Sequence, residues 1–164
     1  NTKPVGTLVT TNVKPGRTLY MLATGTGIAP FLALIRGFDV YENYDNIVLL
    51  HGVRELKELA FDEYLNNLNE DETYKEITQG KFKYYPTVTR EEFKNKGRVT
   101  DALYSGNVQK VLGLEEFDKE KDRVMICGSM EMNLELKEYF EGLGLVEGTM
   151  KEPGEYVLEK AFVD

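Results

Sequence analysis

From Thr18 onward, short continuously apolar runs alternate with stretches of helical periodicity, and this alternation constrains the fold more than any other feature. A run such as Leu19-Tyr20-Met21-Leu22-Ala23 has no polar face, so it suits a strand covered on both sides in a parallel sheet between helices. Ile47-Val48-Leu49-Leu50, Phe82 to Val88, Arg123-Val124-Met125-Ile126-Cys127 and Glu155 to Val163 are the further strand candidates. Phe31, Leu34 and Ile35 fall at i, i+3, i+4 behind Pro30, which suits a first helical turn. Phe61, Tyr64, Leu65 and Leu68 give a second helix, and Thr100 to Leu112 reads as short helical pieces around Gly106. Ser129 is placed to cap a helix carrying Met132, Leu136, Tyr139 and Phe140. The expectation is an α/β fold in three layers, with about five parallel strands. The segment through Gly16, punctuated by Pro4, Gly6, Pro15 and Gly16, reads as the end of a preceding structure, so residues 1–16 are set apart from a domain at 17–164.

Composition excludes several partners. The 164 residues carry a formal net charge of −8, which argues against nucleic acid or an anionic membrane surface. No apolar run approaches the roughly 20 residues that a membrane helix needs. A single cysteine, Cys127, rules out an internal disulfide, and with the absence of a signal peptide favours a reducing cytoplasm. One Cys and one His cannot assemble the usual soft-ligand zinc site, so no metal is expected.

The chemistry sits at the strand ends. Thr24-Gly25-Thr26-Gly27 follows the first strand and precedes a helix, an arrangement that aims backbone N–H groups at an anion and lets a pyrophosphate approach closely. It lacks the G-x-G-x-x-G spacing, and a tight turn needing Gly for its backbone angles would look the same. Past the second strand comes His51-Gly52-Val53-Arg54, where a site selective for NAD would show an acid for the ribose hydroxyls. Arg90 in Val88-Thr89-Arg90-Glu91 and Arg98 in Gly97-Arg98-Val99-Thr100 are two more arginines in loop-like sequence. Arg forks match a 2′-phosphate, although three solvated surface arginines are an equal reading of the pattern alone. Cys127-Gly128-Ser129 ends a strand and opens a helix, making either a second ligand-facing edge or an ordinary buried small side chain.

The run Thr24-Gly25-Thr26-Gly27-Ile28-Ala29-Pro30-Phe31 resembles the ferredoxin–NADP(+) reductase family, and the resemblance continues in register to the last residue. It implies the ferredoxin-reductase-like NADP-binding domain, with the NADP pyrophosphate at Thr24 to Gly27 and Thr26 close to the flavin. By the same resemblance, Arg54, Arg90 and Arg98 would hold the adenosine 2′-phosphate, beside Val53 and Thr89. Cys127 would orient the nicotinamide without acting as a nucleophile, next to Gly128, Ser129 and Met130. His51 would be structural or a minor neighbour of the nucleotide. Relatives commonly have Pro and a small residue where this chain has Met130 and Glu131, a departure in that turn. The ending Glu159-Lys160-Ala161-Phe162-Val163-Asp164 is similar to the bacterial group with Ala in place of a flavin-stacking Tyr. Ala161 would pack on the isoalloxazine, Phe162 would lie along the rest of FAD, and the Glu159 carboxylate would position the nicotinamide or handle protons.

The resemblance implies hydride transfer between NADP(H) and FAD, with electrons exchanged with ferredoxin or flavodoxin by a cytoplasmic monomer. FAD would be held mostly by an N-terminal barrel domain, without which this chain would have little or no activity. One alternative is an NADH-dependent flavin or oxygenase reductase on the same scaffold, against which the three arginines speak. The other is a non-catalytic nucleotide-binding module, against which the flavin-facing C-terminus speaks.

Overall fold

The structure, a computed structural model, describes residues 8–161. Five strands form one all-parallel sheet: β1 (Thr18–Thr24), β2 (Asn46–Val53), β3 (Phe82–Val88), β4 (Arg123–Gly128) and β5 (Tyr156–Lys160), in the order β3-β2-β1-β4-β5. The doubly apolar runs became the central strands because both their faces are covered. Leu19, Met21 and Ala23 of β1 enter one core, while Tyr20 and Leu22 enter the other. The first core is closed by α1 (Ala29–Leu34), α2 (Phe38–Asn43) and α3 (Asp62–Asn66) through Phe31, Val40, Tyr41 and Leu65. A further short helix, α4 (Lys75–Thr78), precedes β3. The second core is closed by α5 (Val99–Tyr104), α6 (Asn107–Leu112) and α7 (Met130–Gly142) through Val99, Val108, Leu136 and Phe140. Full burial of one such side chain contributes about 1.5–3 kcal/mol.

Two expectations need correction. The helix anticipated over Phe61 to Leu68 is broken into α3 and a 3-10 turn at Leu68–Glu70, and Phe61 is 44% exposed rather than packed. Asparagines interrupt it: Asn66 and Asn67 donate Nδ2 back to the Asp62 and Glu63 carbonyls, and Asn69 donates to the Phe82 carbonyl. Residues of this kind favour such local bonds over helix propagation. The last strand starts at Tyr156 and ends at Lys160, with Ala161 beyond it; Phe162, Val163 and Asp164 lie outside the described residues. Elsewhere the match is close. Pro86 is tolerated inside β3 because that strand is at the sheet edge. Gly106 separates α5 from α6 at φ 77, in the left-handed region.

Part of the segment before β1 is built into the domain. Leu8 and Val13 are buried in the first core, and Val13 bridges Gly154. Lys14 N–H donates to the Gly154 carbonyl at 2.8 Å, and Gly154 N–H donates to that of Asn12 at 3.0 Å. Arg17 then clamps the amino end of β1 to the approach to β4, donating to both carboxylate oxygens of the fully buried Asp122 at 3.0 and 2.8 Å and pairing with Glu115.

Candidate functional site

Strand order reverses at β1: the chain goes outward through β2 and β3, then crosses back to β4 and β5. The carboxyl ends of β1 and β4 therefore have connections leaving in opposite directions, the place where open α/β sheets bind ligands. A cleft of about 420 Å³ opens there, within the range of small-ligand sites. Thr24, Gly25, Thr26, Val53, Arg54, Thr89, Arg98, Ser129 and Ala161, all anticipated from the sequence, form much of its wall. Gly52, Glu58, Val99, Thr100, Glu131 and Met132 complete it. Sequence reasoning missed these six as site residues, although Gly52, Val99 and Thr100 stand beside the arginines and glycines that it did single out.

The glycine turn is more compact than expected. Gly25–Ile28 is a 3-10 turn, and α1 begins only at Ala29 with six residues, so the helix dipole is a lesser attraction for an anion than the turn itself. Gly25 sits at φ 51 with no atom within 4 Å of where a Cβ would project, leaving its surface open to the cleft. Gly27 is buried for the opposite reason: a Cβ there would lie 2.0 Å from the Cys127 carbonyl oxygen. The β1 and β4 turns thus touch backbone to backbone. Gly128 adds to this, since its Cβ would meet Thr24 Oγ1 and Met132 Cε at 2.4 Å. Thr24 Oγ1 accepts a hydrogen bond from Ser129 N–H at 3.0 Å, and Ser129 Oγ accepts from Met132 N–H at 3.2 Å as the α7 cap. Thr24 and Ser129 therefore hold the two turns together as well as lining the cleft.

His51 is buried and donates Nε2–H to the Gly25 carbonyl at 2.9 Å, the only polarity that a carbonyl allows. Burial lowers its pKa, so it stays neutral and fixes the turn, which agrees with its reading as a structural residue.

The arginines differ in their partners. Arg54 and Arg90 spring from adjacent strand ends joined by an Arg90 N–H to Arg54 carbonyl bond of 2.9 Å. Glu58 and Glu91 brace these loops by accepting backbone N–H groups of Arg54, Glu55 and Leu56. Both arginines are exposed, and neither makes an ion pair among the described residues. Arg90 lies just outside the cleft wall. Arg98, at the start of α5, is already engaged by the Glu135 carboxylate through both terminal nitrogens, at 3.2 and 3.1 Å.

Cys127 and Glu159 do come together, as register partners on β4 and β5. Neither is among the residues that line the cleft. Strand alternation turns Cys127 toward the first core, while α5 and α7, which flank the cleft, cover the second. Gly27 and Gly128 are buried beneath the cleft, Met130 lies outside it with 54% exposure, and Phe162 is beyond the described residues. Burial, with the nearby Glu159 charge, pushes the Cys127 thiol up to about 11. At pH 8 only about one thiol in a thousand is then ionised, too few for a nucleophile. Iodoacetamide should therefore modify Cys127 slowly up to pH 9, with the rate still climbing near pH 11, and Glu159→Gln should move that profile to lower pH. A profile centred near pH 8.5 would show that the thiol is not shielded.

Residues 21–137 match the oxidoreductase NAD-binding domain family, and the chain belongs to it. Over 164 residues it is 48% identical to a ferredoxin–NADP reductase of Azotobacter vinelandii, covering 99% of this chain and 64% of that one. It is also 48% identical, over 162 residues, to a flavodoxin/ferredoxin–NADP reductase of Rhodobacter capsulatus, covering 98% and 60%. Among solved structures, a ferredoxin NADP+ reductase from Neisseria gonorrhoeae with bound FAD and NADP superimposes with a TM-score of 0.82 at 27% identity. That likeness covers 96% of this chain and 61% of the other. The chain thus spans less than two thirds of the length of these relatives.

Proposed function

We propose that the chain is the NADP(H)-binding portion of a flavin-dependent reductase that transfers hydride between NADP(H) and FAD and exchanges electrons with ferredoxin or flavodoxin. The observation that carries this reading is the cleft at the strand-order reversal, with an open glycine turn at β1 and two arginines that make no ion pair among the described residues at the ends of β2 and β3. The cleft fits the nucleotide: Gly25 leaves room for a pyrophosphate, and the guanidinium groups of Arg54 and Arg90 match a 2′-phosphate in charge and shape. Glu58 braces the Arg54 loop, its Oε2 accepting the backbone N–H groups of Arg54 and Glu55. Arginines at these strand ends favour NADP(H) over the NADH-dependent alternative.

At the other end, Ala161 sits at the cleft rim as a small residue that leaves a flat ring room to approach. FAD, held mostly by an N-terminal domain outside this chain, would supply hydride acceptance and one-electron chemistry. Cys127 stays protonated, and with Glu159 beside it on β5 the pair is read as supporting the nicotinamide end of the site from behind the cleft wall. Residues 1–16 are read as the approach from that N-terminal domain, with Leu8 and Val13 already packed into the core of this one. Among the described residues no helix is long and apolar enough to cross a membrane. We read the whole protein as a cytoplasmic monomer, a location that this chain's single, buried, unpaired cysteine supports.

Calorimetry tests recognition. The chain should bind 2′-phospho-AMP more tightly than AMP by at least about tenfold, since a charge-assisted hydrogen bond contributes about 1.5–3 kcal/mol. Equal affinities would overturn the assignment. In the full-length enzyme, Glu159→Gln should slow hydride transfer in stopped flow while leaving 2′-phosphate affinity nearly intact, because the two sites lie at opposite ends of the nucleotide. An unchanged rate would reduce Glu159 to a solvated strand charge.

A further inference from the structure

Arg98 stands apart from Arg54 and Arg90 because its guanidinium is occupied. Nη1 and Nη2 donate to Oε1 and Oε2 of Glu135, and Nε lies 3.5 Å from an Asp101 carboxylate oxygen. Glu135 is itself held from the other side, accepting from Tyr104 Oη at 2.9 Å. The Tyr104 ring is in turn set against Tyr139 of α7, with centroids 4.4 Å apart. The arrangement joins α5 to α7 at the wall of the cleft that Arg98 lines. Arg98 is 49% exposed and Glu135 32%, so the pair is reachable from the cleft and solvent-screened.

We propose that Glu135 is a specificity-determining residue: its carboxylate occupies the fork of Arg98 and competes with an incoming 2′-phosphomonoester for it, limiting how tightly the domain holds a 2′-phosphorylated nucleotide. The inference rests on the reading that the arginine cluster takes the 2′-phosphate. A guanidinium facing two carboxylates presents no net positive charge, so Arg98 attracts a phosphate only as Glu135 lets go. The exchange is cheap in both directions. An exposed ion pair holds weakly, a phosphomonoester carries more charge than a carboxylate, and the released Glu135 keeps its hydrogen bond from Tyr104. Arg54 and Arg90 would make first contact with the phosphate, and Arg98 would close on it only after changing partners. Such a site trades affinity for release, which suits a domain that must give up its nucleotide at every turnover.

A residue that merely bolts α5 to α7 behaves differently from a competitor, and titration calorimetry of this chain separates the two. Glu135→Gln keeps the shape but removes the competing charge. It should tighten 2′-phospho-AMP binding by about two- to fivefold, the range expected for freeing an exposed arginine, and leave AMP unchanged. Glu135→Asp, which keeps the charge, should restore wild-type affinity, and the gain should vanish in an Arg98→Ala background. Tyr104→Phe removes the hydrogen bond that satisfies the released carboxylate, so it should weaken 2′-phospho-AMP binding slightly and leave AMP unchanged; if Glu135→Gln does not fold, Glu135→Ala carries the test with the same gain expected. Unchanged or weaker 2′-phospho-AMP binding in Glu135→Gln, with a wild type that still prefers the 2′-phosphate, would overturn the proposal and leave the arginine cluster standing. A wild type without that preference would overturn both.

Discussion

Replacing Arg54 and Arg90 together with alanine is expected to weaken NADP(H) binding by about a hundredfold or more while changing NAD(H) binding by less than about threefold, since two charge-assisted contacts are lost only where a 2′-phosphate exists. Both guanidinium groups are exposed and free of ion pairs among the described residues, so neither removal strands a buried carboxylate. The Arg90 N–H to Arg54 carbonyl bond is backbone to backbone and survives the change. The melting temperature should therefore stay within about 2 °C of wild type, as for substitutions away from packed features. The two positions share one phosphate, so the single variants should each cost less than half of the double in free energy if the remaining arginine compensates. Loss of affinity for both nucleotides alike would place these arginines on a phosphate common to NAD and NADP, and the 2′-phosphate assignment would fall.

Gly27→Ala is expected to be the most destabilising single methyl addition in the site. The added Cβ would fall 2.0 Å from the Cys127 carbonyl oxygen and 2.7 Å from its carbon, and neither atom can swing aside as a side chain would. Relief requires the β1 turn to move off the end of β4. That movement strains the register between Ala23 and Cys127 and the Thr24–Ser129 hydrogen bond. Overpacking of this kind costs about 3 kcal/mol or more, which is about 6–12 °C in melting temperature for a domain of this size. Gly25→Ala gives the contrast. Nothing lies near its Cβ, so only the positive φ of 51 is penalised, at about 1 kcal/mol. Nucleotide affinity should report the reverse emphasis, because a methyl on Gly25 projects into the open space where a pyrophosphate would lie. A Gly27→Ala variant as stable as wild type would mean that the two turns are not in backbone contact.

Much of this protein is determined by local sequence. The five strands follow from apolar runs that are unsuited to a solvent-facing sheet, and β3 was bounded by sequence at Phe82 and Val88, the residues at which it begins and ends. The Thr24–Gly27 turn, the Ser129 cap and the break at Gly106 are likewise local, since each depends on a few neighbouring residues meeting a backbone requirement. The glycine turn and the arginine positions were also legible as a site, because the chemistry of an anion cradle limits which residue types can stand at strand ends.

Tertiary structure alone decided the rest. Whether Gly27 or Gly25 needs to be glycine for space depends on how near β4 lies, and β4 is about a hundred residues away in sequence. The helix expected from Phe61 to Leu68 failed because Asn66, Asn67 and Asn69 found carbonyl partners, one of them on the first residue of β3. Three arginines that look alike in sequence became, among the described residues, two cations without an ion pair and one paired with Glu135, which lies 37 residues downstream on another helix. Cys127 and Glu159, far apart in sequence, became register partners side by side on β4 and β5, with the Cys127 side chain in the first core. The common reason is range: periodicity and turn chemistry act over a few residues, whereas charge pairing and close backbone approach are fixed only when distant strand ends meet at one edge of the sheet.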